Sequence, residues 1–197
     1  MIKRSLRLFE NPLLEMLSKV HPWIPILVWG SVFLALQVGL FQDERISGIE
    51  QVAFVALGVF YWIFLEYILH RYVFHMKLSS ESFKRFGFII HGVHHEDPKD
   101  RFRGLMPPLA TFICAIPLYF LCALAYSGGK ENAVFSGLLL GFVTYDYVHF
   151  SFHQAQFKNR IWKELQKRHL IHHRDETANY GVSSPLVDII CRTGREK

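Results

Sequence analysis

Four apolar blocks run through this chain of 197 residues, at 24–41, 51–74, 108–126 and 132–150. Each is 18 to 24 residues long, and about 20 helical residues cross the hydrocarbon core of a bilayer. A backbone in lipid must satisfy its own hydrogen bonds, which leaves helices or closed barrels. Blocks of this length therefore predict an all-α polytopic membrane protein. Its four transmembrane helices form two hairpins, and a cytoplasmic helical cap is built from the segments between and after them. No Gly/Ser linker or low-complexity tract divides the chain. A single domain over 1–197 is expected, with an interfacial N-terminal segment (1–23), the hairpins and a central cytoplasmic loop (24–150), and a C-terminal cap (151–197).

Basic residues orient the hairpins. Of 22 lysines and arginines, four lie in 1–23, seven in 71–106 and nine in 154–197, while the connections 42–50 and 127–131 hold only Arg45 and Lys130. Basic segments stay on the cytoplasmic side, so both termini and the central loop are expected there. The membrane is a bacterial inner membrane or the endoplasmic reticulum. The net charge of +5 then reports topology and contact with anionic headgroups. With no nucleic-acid-binding module beside it, nucleic acid is not expected as a partner.

The first 23 residues lack the apolar core and small-residue cleavage site of a signal peptide. They read as an interfacial amphipathic helix broken near Pro12. Cys114, Cys122 and Cys191 form no CxxC pair and read as packing residues. "SGGK" at 127–130 reads as a tight turn between spans rather than a phosphate cradle.

Ten of the eleven histidines fall in four clusters: "HRYVFH", "HGVHH", "HFSFH" and "HLIHH". His75 to His91 is sixteen residues and so is His153 to His169, which suggests a duplication giving two half-sites, each from one span end and one cytoplasmic helix. A lone histidine is more often a hydrogen-bonded interior residue than a ligand, but ten with a common spacing need a common cause. Leaving each buried imidazole unpartnered would cost about 1–3 kcal/mol. Coordination of two metal ions by His70, His75, His91, His94, His95, His149, His153, His169, His172 and His173 removes that difficulty. An imidazole set suits Fe, Zn, Cu or Ni.

On a helix, residues three and four apart share a face, so each triplet can converge, and so can His149 and His153. His70 and His75, five apart, cannot meet at one point on an ideal helix. Unless the helix is distorted, the pair is expected to straddle two metals. Glu66, Tyr145 and Asp146 lie three or four residues before a histidine and are candidates to take an imidazole proton and fix its tautomer. A helix-end charge at headgroup level is the other reading of Glu66 and Asp146. There is no HExxH, GxSxG, Walker loop or GxGxxG.

From about Glu66 to Thr193 the sequence resembles the membrane fatty acid hydroxylase superfamily. "HRYVFH" is similar to its HX4H box, "HGVHH" and "HLIHH" to its HX2HH boxes and "HFSFH" to its HX3H box. This outline is shared with sterol desaturases and carotenoid hydroxylases. "HGVHHEDPKDRFRGLMPP", "YDYVHFSFH" and "HHRDETANYGVSSPLVD" resemble more narrowly the fatty acid 2-hydroxylases acting on sphingolipid acyl chains, with Val187 where a tryptophan is expected.

The resemblance implies O2-dependent hydroxylation at carbon 2 of a fatty acyl chain, in a ceramide or a free fatty acid. It further implies two metal ions, iron in the active enzyme and zinc as an alternative in purified protein. Many members carry a cytochrome b5 domain ahead of the first span, whereas 23 residues precede it in this sequence. The expected donor is a separate protein such as cytochrome b5, or ferredoxin with its reductase. Arg101 and Arg103 either face the lipid headgroup or belong to an ordinary positive-inside loop. A sterol- or carotenoid-type hydroxylase or desaturase with the same metals is the alternative. A membrane metal transporter fits less well, because its ligands belong near the bilayer midplane.

Overall fold

A computed structural model describes residues 5–76 and 80–196. Among these residues there are nine α-helices and two π-helical segments, with no strand. In chain order they are α1 (Pro12–Leu17), α2 (Trp23–Gln42), α3 (Gly48–Ile68) running into a π-segment (Leu69–Phe74), α4 (Glu81–Gly87) with a second π-segment (Phe88–Gly92), and α5 (Val93–Glu96). Then follow α6 (Pro108–Ala125), α7 (Lys130–Gln154), α8 (Arg160–His172) and α9 (Leu186–Cys191). Four of these stretches are long and apolar enough to cross a membrane, as the hydropathy blocks predicted: Trp23–Gln42, Gly48–Phe74, Pro108–Ala125 and Lys130–Gln154. Gly128 and Gly129 take φ of +67° and +86° between α6 and α7, the turn expected of "SGGK".

The contacts divide the chain into two compact units. One comprises Val20–Trp62 and Met106–Thr144, and its organising element is the first part of α7. Of the apolar windows, that of α7 is 67% buried and the others 11–22%, so α7 is the helix around which this unit's other helices lie. The closest approach is to α3. A Cβ on Gly58 would lie 2.1 Å from the Val134 carbonyl oxygen, and one on Gly137 2.1 Å from that of Val55. Small residues let two backbones meet this closely. Trp29 of α2 sits between Phe112 of α6 and Phe142 of α7, with ring centroids 4.5 and 6.4 Å away. Outward, α2 and α6 present Leu34, Phe41, Ile113 and Leu124, all well exposed, a surface suited to lipid rather than water.

The other unit comprises Met1–Lys19, Ile63–Leu105 and Tyr145–Lys197, and it contains all ten clustered histidines. At its edge α1 corrects one expectation. The helix is not broken at Pro12 but begins there, with the Asn11 carboxamide accepting from the N–H groups of Leu13 and Leu14. Proline at the first turn forfeits no helical bond. Lys3 and Arg4 of the same segment lie outside the described residues.

Arg103 is a second correction. Its side chain is 3% exposed, and its guanidinium donates to Ser5 Oγ (3.0 Å), Leu6 O (2.8 Å), Ser18 Oγ (2.8 Å) and Glu15 Oε1 (2.7 Å). It ties the N-terminal segment to the loop after α5 and is not free to meet a headgroup, whereas Arg101 is exposed. Burial alone would raise the Glu15 carboxyl, but Lys19, the N–H groups of Leu8 and Phe9, and Arg103 together pull it down to about 2. Of the cysteines only Cys122 is buried; Cys114 and Cys191 are exposed and do not pack inside.

Gly58→Ala is expected to destabilise the detergent-solubilised protein by about 1–3 kcal/mol, the usual cost of overpacking. Gly30→Ala, where a Cβ meets nothing within 4 Å, should leave the thermal midpoint unchanged or higher, and thermal unfolding of the two variants side by side checks the contrast.

Candidate metal centre

The ten imidazoles gather into two groups of five. His70, His75, His91, His95 and His172 form group one; His94, His149, His153, His169 and His173 form group two. Within each group one nitrogen per residue lies within 4.8 Å of all the others. The split follows local helix geometry. His149 and His153 stand four apart on α7 and meet at once. His70 and His75 stand five apart, and the π-segment Leu69–Phe74 accommodates the extra residue, with the His75 N–H donating to the His70 carbonyl at 3.2 Å. The pair therefore does not straddle two metals: the helix is distorted and both join group one. Nor does either triplet converge whole. His91 and His95 enter group one and His94 crosses to group two, while His169 and His173 enter group two and His172 crosses to group one. Each half-site is the pair from its own span end, two imidazoles of its own triplet and one from the other repeat.

Tautomers determine what these groups can hold. His70 Nδ1 lies 2.5 Å from the Tyr180 carbonyl oxygen and His172 Nδ1 2.8 Å from that of Ala178. A carbonyl only accepts, so both Nδ1 atoms carry hydrogen and both Nε2 atoms are lone pairs. Glu176 lies 3.4 Å from His75 Nδ1 and 3.5 Å from His95 Nδ1, which favours the same tautomer there. Yet His75 and His172 bring their Nε2 atoms to 2.9 Å, and His70 and His91 bring theirs to 3.2 Å. For His75 and His172, whose Nδ1 atoms both face oxygen, the Nε2 lone pairs meet, and a cation between them relieves the contact. In group two His153 and His169 approach to 2.7 Å, and His94 and His169 each stand 3.0–3.2 Å from His173. His149 Nε2 is buried with no hydrogen-bond partner. A donor set of this kind fits a divalent transition metal in each group.

The imidazoles of the two triplets are kept neutral, the form that binds metal. Burial first, then the charge of neighbouring histidines, holds His91, His94 and His169 well below the usual range and brings His95 to about 2 and His173 to about 3. Burial lowers His172 to about 4 against the opposing pull of the Ala178 carbonyl.

The residues expected to set tautomers take different places. Glu66, buried on α3, accepts from the N–H groups of Val182 (2.5 Å) and Ser183 (2.9 Å) and from the Ser183 hydroxyl. The atom facing His70 Nδ1 is the Tyr180 carbonyl, so Glu66 reaches that imidazole through the loop it holds. Tyr145 and Asp146 are buried beside group two, and the Tyr145 ring is parallel to His149 at 5.8 Å. The sequence reading missed Glu176 and Asp188. Asp188, fully buried, accepts from the N–H groups of Tyr180 (2.9 Å) and Gly181 (2.7 Å) and from the Thr193 hydroxyl (2.7 Å). Two buried carboxylates thus clamp the loop whose carbonyls orient His70 and His172. At Gly181 a Cβ would strike the Ser184 carbonyl oxygen at 2.1 Å. The "ANYG" and "SSPLVD" stretches carried this signal, though nothing in residue type reveals a backbone carbonyl's aim.

The residues 55–193 match the family model described as Fatty acid hydroxylase. This chain belongs to the fatty acid hydroxylase family. It is 37% identical over 172 residues to the dihydroceramide fatty acyl 2-hydroxylase FAH1 of Arabidopsis thaliana, covering 87% of this chain and 70% of that one. The fatty acid 2-hydroxylase of Homo sapiens is 31% identical over 214 residues, covering 98% of this chain, which spans 57% of the human protein. Among solved structures, full-length scs7p with only its hydroxylase domain visible superposes with a TM-score of 0.89 at 30% identity, covering 95% of this chain and 71% of that one. The all-α fold and the family inferred from the histidine boxes agree with these matches. The hydroxylase's Val187, where tryptophan was expected, is buried against Tyr67 and Tyr180.

Glu66→Gln should destabilise this hydroxylase by about 1.5–3 kcal/mol, the worth of hydrogen bonds to a charged group, and lower metal affinity about 10–100-fold, as loss of ligand-orienting partners does. Unfolding curves and metal analysis after dialysis check both. Acidification gives a separate expectation. The unfolded chain protonates its histidines below about pH 6.5, whereas the folded chain keeps His172 and His173 neutral down to about 4 and 3. Metal-free protein should therefore lose stability progressively as pH falls from about 6.5 toward 4 and show no such slope at pH 8; thermal midpoints across that range measure it.

Proposed function

We propose that this chain is a fatty acyl 2-hydroxylase, acting on the acyl chain of a ceramide-type sphingolipid or on a free fatty acid. The observation that carries the reading is the pair of five-imidazole groups, each with one nitrogen per residue converging, in a chain of this family. The overall reaction is R–CH2–R′ + O2 + 2 e− + 2 H+ → R–CH(OH)–R′ + H2O. The carbon attacked carries no leaving group and only very weakly acidic hydrogens, and turning its C–H into C–OH is a two-electron oxidation that general acid–base or nucleophilic groups alone cannot perform. Two iron ions, one per group, would supply the reduction and splitting of O2 that such a bond requires.

The chain's own residues supply position. Group one is assigned to one metal and group two to the other, and their crossing histidines, His172 and His94, bind each group to the opposite repeat. Glu66 and Asp188 hold the loop that aims His70 and His172. Tyr145 and Asp146 steady His149 from the α7 side. The acyl chain enters from the bilayer, and its headgroup stays at the water side where Arg101 is exposed, so that the first methylenes lie over the metals and carbon 2 is selected by placement. In this reading the chain acts as one hydroxylase domain with both termini cytoplasmic, and a separate protein, cytochrome b5 or ferredoxin with its reductase, delivers the electrons.

The test is mass spectrometry of lipids from cells expressing the wild type or His94→Ala under labelled O2. Wild-type cells should accumulate acyl species carrying one labelled oxygen at carbon 2, and the variant should lose at least 95% of them along with much of its bound metal. Metal-replete wild-type protein supplied with donor and yielding no such species would sink the proposal.

A further inference from the structure

Outside the histidine groups a groove of about 330 Å³ lies on α8 and the chain just beyond it, with Lys163, Lys167, Leu170, Ile171, Arg174 and Glu196 among its lining residues. Its polar edge is predominantly cationic. Lys163, Lys167 and Arg174 are all exposed; at 100° per residue the two lysines fall on one side of the helix, Arg174 lies just past its end, and Leu170 and Ile171 form the apolar floor. The opposite side of the same helix carries His169 and His172, both buried. Groove and imidazoles are therefore separated by one helix, about 10 Å across. The floor is also bonded directly to the metal groups: Leu170 is the chain neighbour of His169 in group two, and Ile171 that of His172 in group one.

We propose that this groove is the docking site of an acidic one-electron carrier protein, and that α8 is the route by which electrons reach both metal groups. The inference rests on the hydroxylase reading, since that reaction consumes two electrons per O2. Each turnover then takes two dockings, in which two reduced carriers are oxidised by one electron each while one oxygen atom enters the substrate and the other leaves as water. A cationic rim steers an acidic partner into place and makes encounter salt-dependent. A small apolar floor excludes water at the centre of the contact. The recessed shape favours a protruding protein surface over a bilayer, because a plane of headgroups meets projecting side chains and would leave a concave apolar floor uncovered.

The test uses the metal-loaded full chain in nanodiscs and the reduced soluble haem domain of cytochrome b5 as the acidic carrier, with carrier reoxidation followed by stopped-flow absorbance. Wild type should be reduced quickly at low salt and progressively more slowly as salt rises. Lys163→Glu with Lys167→Glu should slow the step at least tenfold at low salt and flatten the salt dependence, and Lys163→Gln with Lys167→Gln should give a smaller loss of the same sign. Reduction by dithionite, which needs no docking, should be equal in all three. Wild-type carrier kinetics in the charge-reversed protein would overturn the proposal. So would an equal loss with dithionite, which would make the effect structural. A loss confined to binding of detergent-solubilised protein to anionic phosphatidylserine vesicles would also overturn it, assigning the face to the membrane. If docking behaves as expected but no hydroxylated acyl product forms, the docking site stands and the hydroxylase reading fails.

Discussion

Two imidazoles whose outer nitrogens both face oxygen acceptors can offer each other only lone pairs, and His75 and His172 do so at 2.9 Å. That repulsion organises the hydroxylase. It is relieved when a cation lies between the rings, so the protein's most crowded polar region is one that coordination completes. Because His75 comes from the end of one span and His172 from α8, the same cation joins segments nearly a hundred residues apart. In group two His94, from the first repeat, stands beside His173 of the second, with their Nε2 atoms 3.2 Å apart. Neither repeat can assemble its five ligands alone, so the two halves of the site are built together or not at all.

The loop after α8 acts as a jig for this arrangement. Glu66 and Asp188 spend their charge on backbone N–H groups of 180–183, not on imidazoles, and the loop's carbonyls at 178 and 180 then face two ligands. Buried carboxylates that accept several N–H bonds are well compensated for leaving water. Asn179 fits the same design: at φ +55° it takes a left-handed conformation that asparagine tolerates, and it is tied to the backbone of Arg168 and Arg195. Rigidity at the ligands is thus provided by a segment that contributes no ligand.

Hydropathy alone located the four spans to within a few residues, because lipid accepts little besides a long apolar helix. The histidines were legible for a similar reason, since few causes place ten imidazoles at a shared spacing. Their division was not legible. On a helix, positions three and four residues on lie to either side of the first by 60° and 40° or so, and choosing between them requires knowing where the second group sits. Glu176 and Asp188 were hidden among ordinary acidic residues, and the carbonyls of Ala178 and Tyr180 belong to every residue type alike. Arg103 looked like any loop cation until the N-terminal segment closed over it.

The π-segment at Leu69–Phe74 has a meaning beyond the pair of histidines it brings together. From His75 to His153, from His91 to His169 and from His95 to His173 the repeat displacement is the same 78 residues, but from His70 to His149 it is 79. A single wide turn takes up the odd residue in the first half, leaving each pair delivered to its own metal group. The two halves differ in length yet agree in where their imidazoles arrive, so the repeat is counted in turns of helix, and the backbone can absorb a one-residue change in spacing without surrendering a ligand.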